Sequence, residues 1–413
     1  MAFTTYRTDK LAGMQIIYFI CMLYHVLHHS YCWFTLDYSP FLVHIISVAT
    51  FISFFMGYNN VQIKRSNQTF LWAVVLILLI HTCFEQHSVS LSGALTTFDI
   101  AVPFLFLLLK RNNILALINH FDKVLCPIIA ISTLFWIFFL LNVPLVSIGT
   151  QEFQQYTFEN YFFMIYNAEQ YPDRFCGFTL EPGYFSLLLT CLLCFNRFKV
   201  EKTNVKIYLL AMFFTFSLGG YVLTSIAWYL SYTLSATEMK TRTIILRTAS
   251  LVLVLGAAYL YVTIYWNSGE NIVNEKIISR LEGDSEKGIT GNNRYTEAGE
   301  IYFLSFAQTD DLWFGRGSEA YEKAVELLDG YDDQSIRRFI IRDGLIFTIA
   351  VIIFVFLFFK YQVPIRKMLP AYAIWIGDLM QHGVAFSAAL IWMTLVIYSM
   401  ETSADKIKYG AVR

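Results

Sequence analysis

Charge is what this chain lacks most. Only 15% of its 413 residues are Asp, Glu, Lys or Arg, against about 25% in an average soluble protein, too few to cover an ordinary wetted surface. An excess of either sign is also missing. Thirty basic and 31 acidic side chains leave a formal net charge of −1, which excludes the basic field a nucleic-acid partner would need. The first apolar run follows Arg7 and Lys10, yet no small-x-small cleavage site comes after it. His25, His28 and His29 stand in that place, so the run is read as a retained span. Cysteine offers little chemistry. Cys191 and Cys194 form a lone C-x-x-C in an apolar stretch with no second pair, so no metal is expected there. Cys32 and Cys176 are the two that an oxidising compartment would let pair. The three histidines have i, i+3, i+4 spacing but no companion carboxylate, which favours interfacial packing over a metal.

What the chain has is apolar length. Hydrophobic residues make up 56% and aromatics 17%. Runs of roughly 17–25 apolar residues, the length that crosses a bilayer, predict about twelve transmembrane helices. They lie near 11–31, 40–58, 69–84, 93–109, 124–148, 178–196, 205–219, 220–236, 244–265, 341–359, 368–381 and 384–400. The expected fold is an all-α polytopic membrane protein. It divides into a five-span region over 1–148, a polar loop over 149–177, a four-span region over 178–265, a large loop over 266–343, and terminal spans and tail over 344–413. Ser217-Leu-Gly-Gly220 reads either as a tight hairpin or as a kink in one long helix.

The basic residues orient this layout. With the N-terminus inside, 20 of the 30 Lys and Arg fall on the cytoplasmic side, the short outward loops at 32–39, 85–92 and 382–383 hold none, and the two long loops hold the other ten. Long loops are exempt from the positive-inside bias, so both ends are expected in the cytoplasm. A carboxylate in hydrocarbon costs about 2.5–3.5 kcal/mol on insertion scales and usually faces protein or water. Asp99, Glu181 and Asp378, with Glu85 at a span end, fall in the outward halves of their helices, and His81 and His382 share that depth. The pattern predicts a water-accessible cavity opening outward; four unrelated interfacial residues are the plainer alternative.

Both long loops place an arginine near a helix start. In the first, Arg174 and Gly177 precede Glu181-Pro182-Gly183. Proline suits the first turn of a helix, and the free N–H groups of that turn beside Arg174 would make an anion site. Arg174 and Glu181 would then hold a phosphate and accept a proton, or else form a structural ion pair. In the second, Asn293-Arg294 opens an amphipathic stretch over 295–306 with Ala298, Ile301, Tyr302 and Phe306 at helical spacing. Gly315-Arg-Gly317 is a glycine-lined turn, 319–329 reads as a further short amphipathic helix, and Asp333 precedes Arg337, Arg338 and Arg342. Nine basic against sixteen acidic residues over 266–343 imply that Arg316 and Lys287 are solvated.

The run Arg174–Gly177–Glu181–Pro182, the Ser217–Gly220 break, Asn293–Arg294, the Gly315/Gly317 turn and Asp333 before the Gly344-containing span resemble, in order, bacterial polysaccharide polymerases of the Wzy type. The resemblance covers roughly residues 170–350. Related O-antigen ligases share the two arginines and the large loop but carry a histidine late in that loop; residues 266–343 contain none, and Asp333 stands where it would be expected. The resemblance implies a GT-C-like glycosyltransferase of the inner membrane with a periplasmic site, using no nucleotide sugar, cofactor or metal. Its substrates would be undecaprenyl-diphosphate-linked oligosaccharides in the lipid phase, with a chain-length regulator among its partners. It would move the growing chain from its lipid diphosphate to the non-reducing end of a new repeat unit. Arg174 and Arg294 would bind the diphosphate, which guanidinium forks suit. Glu181, or else Asp333, would deprotonate the acceptor hydroxyl. Asp99, Asp378, Gly315 and Gly317 would line the sugar site. A ligase acting on lipid A core, and a lipid-oligosaccharide transporter, are the alternatives; a transporter would want ionisable residues through the full membrane depth and related halves.

Overall fold

The computed structural model describes residues 13–36, 40–58, 69, 71–77, 79, 91–153, 156–234, 261–265, 270, 283–284, 288–289, 297–327, 336–363, 365–382 and 388–400. These residues are mostly helical. In chain order the helices are α1 (Gly13–His28), α2 (Trp33–Leu36), α3 (Pro40–Gly57), α4 (Leu91–Ala101), a 3₁₀ segment (Val102–Leu108), α5 (Arg111–Leu140), α6 (Pro182–Phe195), α7 (Thr203–Phe214) and α8 (Leu218–Leu234). Then follow α9 (Glu297–Ala307), α10 (Asp311–Phe314), α11 (Gly317–Leu327), α12 (Ile336–Asp343), α13 (Leu345–Gln362), α14 (Ile365–His382) and α15 (Ala388–Met400).

The centre is α6. Apart from Tyr184 and Phe195 it is buried along its whole length, as an all-apolar helix must be when protein surrounds it. It packs on α5, α7, α8 and α15, and α8 in turn packs on α14. Close approach is built in: Gly219 and Gly377 leave the space that Gln381 and Leu223 occupy. Along α5 the buried residues Ile114, Leu117, Phe121, Leu125, Ile129 and Trp136 form one stripe at helical spacing. The break after α7 is a redirection and not a hairpin: Phe216 turns the chain with φ 42°, α7 packs on α5 and α6, and α8 packs on α6 and α14.

Membrane crossing is where the sequence reading and the structure part. Among the described residues one helix, α5, is long and apolar enough to cross a bilayer, or two if α12 and α13, bent by 117° at Gly344, count as one span. The twelve-span count is therefore not supported. The apolar runs at 40–58, 178–196 and 205–219 form helices, but shorter ones; the 14 residues of α6 rise only about 21 Å against a hydrocarbon core of about 30 Å. The fifth run is shifted, since α5 begins at Arg111 and ends at Leu140, leaving 141–148 non-helical. Of the third run residues 69, 71–77 and 79 are described and helical, and the ninth run lies largely outside the described residues.

The first polar loop is not irregular. Gly149–Phe153 (β1), Tyr156–Asn160 (β2) and Ile165–Tyr166 (β3) form an antiparallel sheet in that order, with Gly149 opposite Asn160 and Phe153 opposite Tyr156. Tyr, Thr and Phe favour strands, and alternation puts Phe158 and Asn160 inside and Thr157 and Glu159 outside. The sheet and the turn after α1 are tied together: Gln151 Nε2 donates to the Trp33 carbonyl and Trp33 Nε1 donates to the Phe162 carbonyl.

In the second loop α9 and α11 fall on the two expected amphipathic stretches. Phe306, Tyr321 and Ile341 form a small separate core between them and α12, while Ile301 is exposed. Arg316, expected to be solvated, is held: its Nε donates to Asp311 at 2.8 Å, and its guanidinium lies 5.2 Å from the Phe306 ring. Burial works against its charge, but the hydrogen bonds it donates to Asp311 and Tyr302 outweigh it and raise its pKa.

Candidate functional site

Three chain segments meet at the N-terminal end of α6. The first is Tyr171–Leu180. Its Phe175 N–H donates to the Phe214 carbonyl at 3.0 Å, and its Leu180 N–H donates to the Tyr31 carbonyl at 3.0 Å. The Phe175 ring sits between Trp136 and Phe185. A side chain at Gly177 (φ 59°) would fall 2.5 Å from the Phe185 ring, so glycine is required for this segment to lie on α6. The second is the Thr215–Ser217 break. The third is the C-terminal end of α14.

Arg174 is fixed by the first two. Its Nε donates to the Thr215 carbonyl at 3.3 Å, and its guanidinium lies 5.2 Å from the Tyr171 ring. Among the described residues no carboxylate stands within ion-pair distance of it, so the structural Arg174–Glu181 pair is not formed. Glu181 is the residue before the first turn of α6, with extended backbone and no side-chain cap. Its carboxylate turns instead toward α14, where Oε2 lies 4.0 Å from His382 Nε2. His382 and Asp378 are one helical turn apart, and His382 Nδ1 and Asp378 Oδ1 are 2.7 Å apart. The imidazole stacks on Tyr184 with centroids 4.1 Å apart, and Tyr184 stacks on Tyr31 at 4.5 Å.

This arrangement can do two kinds of chemistry. A guanidinium in the segment that leads into a helix N-terminus suits a phosphate. A carboxylate and a carboxylate-held imidazole suit proton transfer, because Asp378 fixes which ring nitrogen carries the proton.

The other expected site residues fall differently. Asp99 pairs with His44 of α3 at 2.6 Å and with neither Arg174 nor Glu181. Gly315 and Gly317 both have φ 79°; Gly315 presses on the backbone of Arg342 and Gly344, and the Arg316 N–H donates to the Ile341 carbonyl at 2.8 Å. Arg294, Asp333, Glu85 and His81 lie outside the described residues. Cys32 and Cys176 are free and buried, and burial pushes both thiols up, so they do not pair and are poor nucleophiles. His25 meets Thr50 at 3.1 Å and His28 meets the Thr35 carbonyl at 3.0 Å, the packing role expected of them. Among the described residues no group of His, Cys, Asp or Glu is arranged to hold a metal.

Sequence reasoning grouped His382 with Glu181 and Asp378 but gave it no partner; the i, i+4 spacing to Asp378 was the signal. It missed a second polar cluster at the opposite end of α6. There Asp122 accepts from Asn196 at 2.8 Å, Asn204 at 2.6 Å and Tyr208 at 2.7 Å, while Lys202 donates to Asn196 at 2.8 Å. Every one of those hydrogen bonds stays within the cluster, which ties α5, α6 and α7 together. No family model, curated protein or solved structure matches this chain.

Proposed function

We propose that this protein is an inner-membrane glycosyltransferase that joins undecaprenyl-diphosphate-linked repeat units into O-antigen or a related surface polysaccharide on the periplasmic face. The observation that carries this reading is the meeting of Arg174, Glu181, His382 and Asp378 at one end of α6. All four lie on the outward side in the layout that the Lys and Arg pattern predicts, whereas Lys202 and Arg197 lie at the other end. In this reading Arg174, with Arg294, meets the charge developing on the departing diphosphate. Glu181 engages the acceptor hydroxyl, with Asp333 as the second carboxylate, and Asp99 and Asp378 belong to the outward cavity.

Embedding in a bilayer is supported by the outer faces of the helices. On α3 the exposed residues are Phe41, Ile45, Val48, Ile52 and Phe55, and on α13 they are Ile346, Ile349, Ile353 and Leu357. Both sets recur at helical spacing, a stripe of apolar surface that water would penalise and lipid would not. The twelve-crossing layout with both ends cytoplasmic is part of this reading.

The missing histidine in residues 266–343 favours a polymerase over a ligase. The test is to reconstitute the purified protein with repeat-unit lipid isolated from cells lacking the gene. A ladder of lipid-linked oligomers is expected. Transfer only to added lipid A core would assign a ligase, and no transfer to either would remove the transferase reading.

A further inference from the structure

His382 is the group at this site whose presence the proposed function does not yet explain. Its side chain is 4% exposed, and its Nε2 is buried with no hydrogen-bond partner among the described residues. An unbonded polar atom in the interior is destabilising, and here it points at Glu181 across 4.0 Å, too far for a hydrogen bond. The groups facing the ring are Asp378 from its own helix and Glu181 and Tyr184 from α6, with Tyr31 behind Tyr184. Beside the gap stands Gly183. A Cβ there would lie 3.1 Å from Glu181 Oε1 and 3.5 Å from His382 Nε2, so the absent side chain leaves a one-atom space bordered by both polar groups.

We infer that His382 is the proton acceptor of the transfer, that Asp378 positions it, and that the acceptor hydroxyl enters the space left by Gly183. This rests on the transferase reading above. Nδ1–H donates to Asp378, which leaves the Nε2 lone pair facing the gap. The acceptor O–H bond breaks and its proton passes to Nε2, while the oxygen's electron pair forms the new bond to the anomeric carbon. The bond from that carbon to the diphosphate oxygen breaks, and its electron pair leaves with the diphosphate toward Arg174. The imidazolium then lies between the Asp378 and Glu181 carboxylates and at the C-terminal end of α14, where a helix favours positive charge. The proton returns to water as the site resets. Glu181 orients the hydroxyl and balances the imidazolium, and the Tyr184 ring holds the imidazole plane.

The test compares His382→Gln, Asp378→Asn and Gly183→Ala in the reconstituted assay with repeat-unit lipid. General-base loss predicts that His382→Gln lowers kcat roughly 100- to 10,000-fold with KM little changed. Asp378→Asn should lower kcat less and shift the pH profile of kcat, which a packing role would not do. Gly183→Ala keeps every polar group and fills the gap, so it separates chemistry from folding even if the α14 variants fail to accumulate; it should also lose turnover while still binding the lipid. Wild-type turnover in Gly183→Ala or in folded His382→Gln, with Arg174→Ala inactive in the same assay, overturns the role of His382 and leaves the transferase reading standing. A wild-type protein that joins no repeat units overturns both.

Discussion

Arg174→Ala is expected to abolish chain extension while the protein remains at its normal level in the membrane. The guanidinium lies at the break between α7 and α8, anchored by one donor to the Thr215 carbonyl and by the Tyr171 ring. The anchoring uses Nε, and the two terminal nitrogens form the fork that binds phosphate oxygens. Removing a donor aimed at developing negative charge costs on the order of 10²–10³ in rate, and the departing diphosphate carries more charge than a single oxyanion. Arg174→Lys should rescue poorly, because an ammonium cannot both reach Thr215 and present a planar fork. Arg294→Ala should behave alike if the two arginines share the diphosphate. Arg316→Ala should differ in kind: it breaks the bracket to Asp311 and Phe306 and should lower abundance more than specific activity. Glycan yield normalised to protein level separates these outcomes. Near-normal synthesis by Arg174→Ala would remove the diphosphate role.

The second large effect is on folding. Gly315→Ala and Gly344→Ala should each prevent accumulation of folded protein, whereas Gly13→Ala should be silent. Gly315 has φ 79° and ψ 170°, and Gly344 has φ 86° and ψ 160°. Only glycine occupies that region readily, and another residue there costs about 1–3 kcal/mol before any clash. The clash is with backbone: a Cβ at Gly344 would lie 2.5 Å from the Phe314 carbonyl carbon and the Trp313 oxygen, and one at Gly315 would lie 2.7 Å from the Gly344 nitrogen. Neither partner can rotate away. These two glycines let the turn after α10 lie against the 117° corner between α12 and α13. At Gly13 nothing among the described residues stands within 4 Å of the added atom. Thermal unfolding of the detergent-solubilised variants measures the difference; an unchanged Tm for Gly344→Ala would contradict the packing described.

Much of this was legible in the sequence where the signal is local. Pro182 after Glu181 marked the start of α6, Ser217–Gly220 marked a break, and the apolar spacing of 295–306 and 319–329 marked α9 and α11. The Asp378–His382 spacing was equally local. What the sequence hid is what the fold assembles from distance. Nothing near Glu181 announces His382, about 200 residues away, and nothing near Asp122 announces Asn196, Asn204 and Tyr208. The sheet over 149–166 was hidden for a different reason: its strands are at most five residues long and rich in polar side chains, so hydropathy reads them as loop. Fewer helices pass as spans among the described residues than hydropathy counts, because hydropathy measures apolar length, whereas the chain ends α5 at Leu140 and breaks at Thr215–Ser217 and Gly344, within apolar stretches. The glycines of the Gly315 turn were visible, but a motif does not say whether a glycine faces a ligand or, as Gly315 does, another backbone.

Whether this chain joins repeat units is read from the glycan profile of cells lacking the gene. A polymerase mutant keeps its flippase and its ligase, so single units still reach the surface. In a Gram-negative host the expected result is lipopolysaccharide reduced to core plus one repeat, with long chains restored by the intact gene and not by Arg174→Ala. Bare core together with long chains accumulating on undecaprenyl diphosphate would indicate a ligase, single repeats held on the cytoplasmic side would indicate a transporter, and either result would contradict the polymerase function.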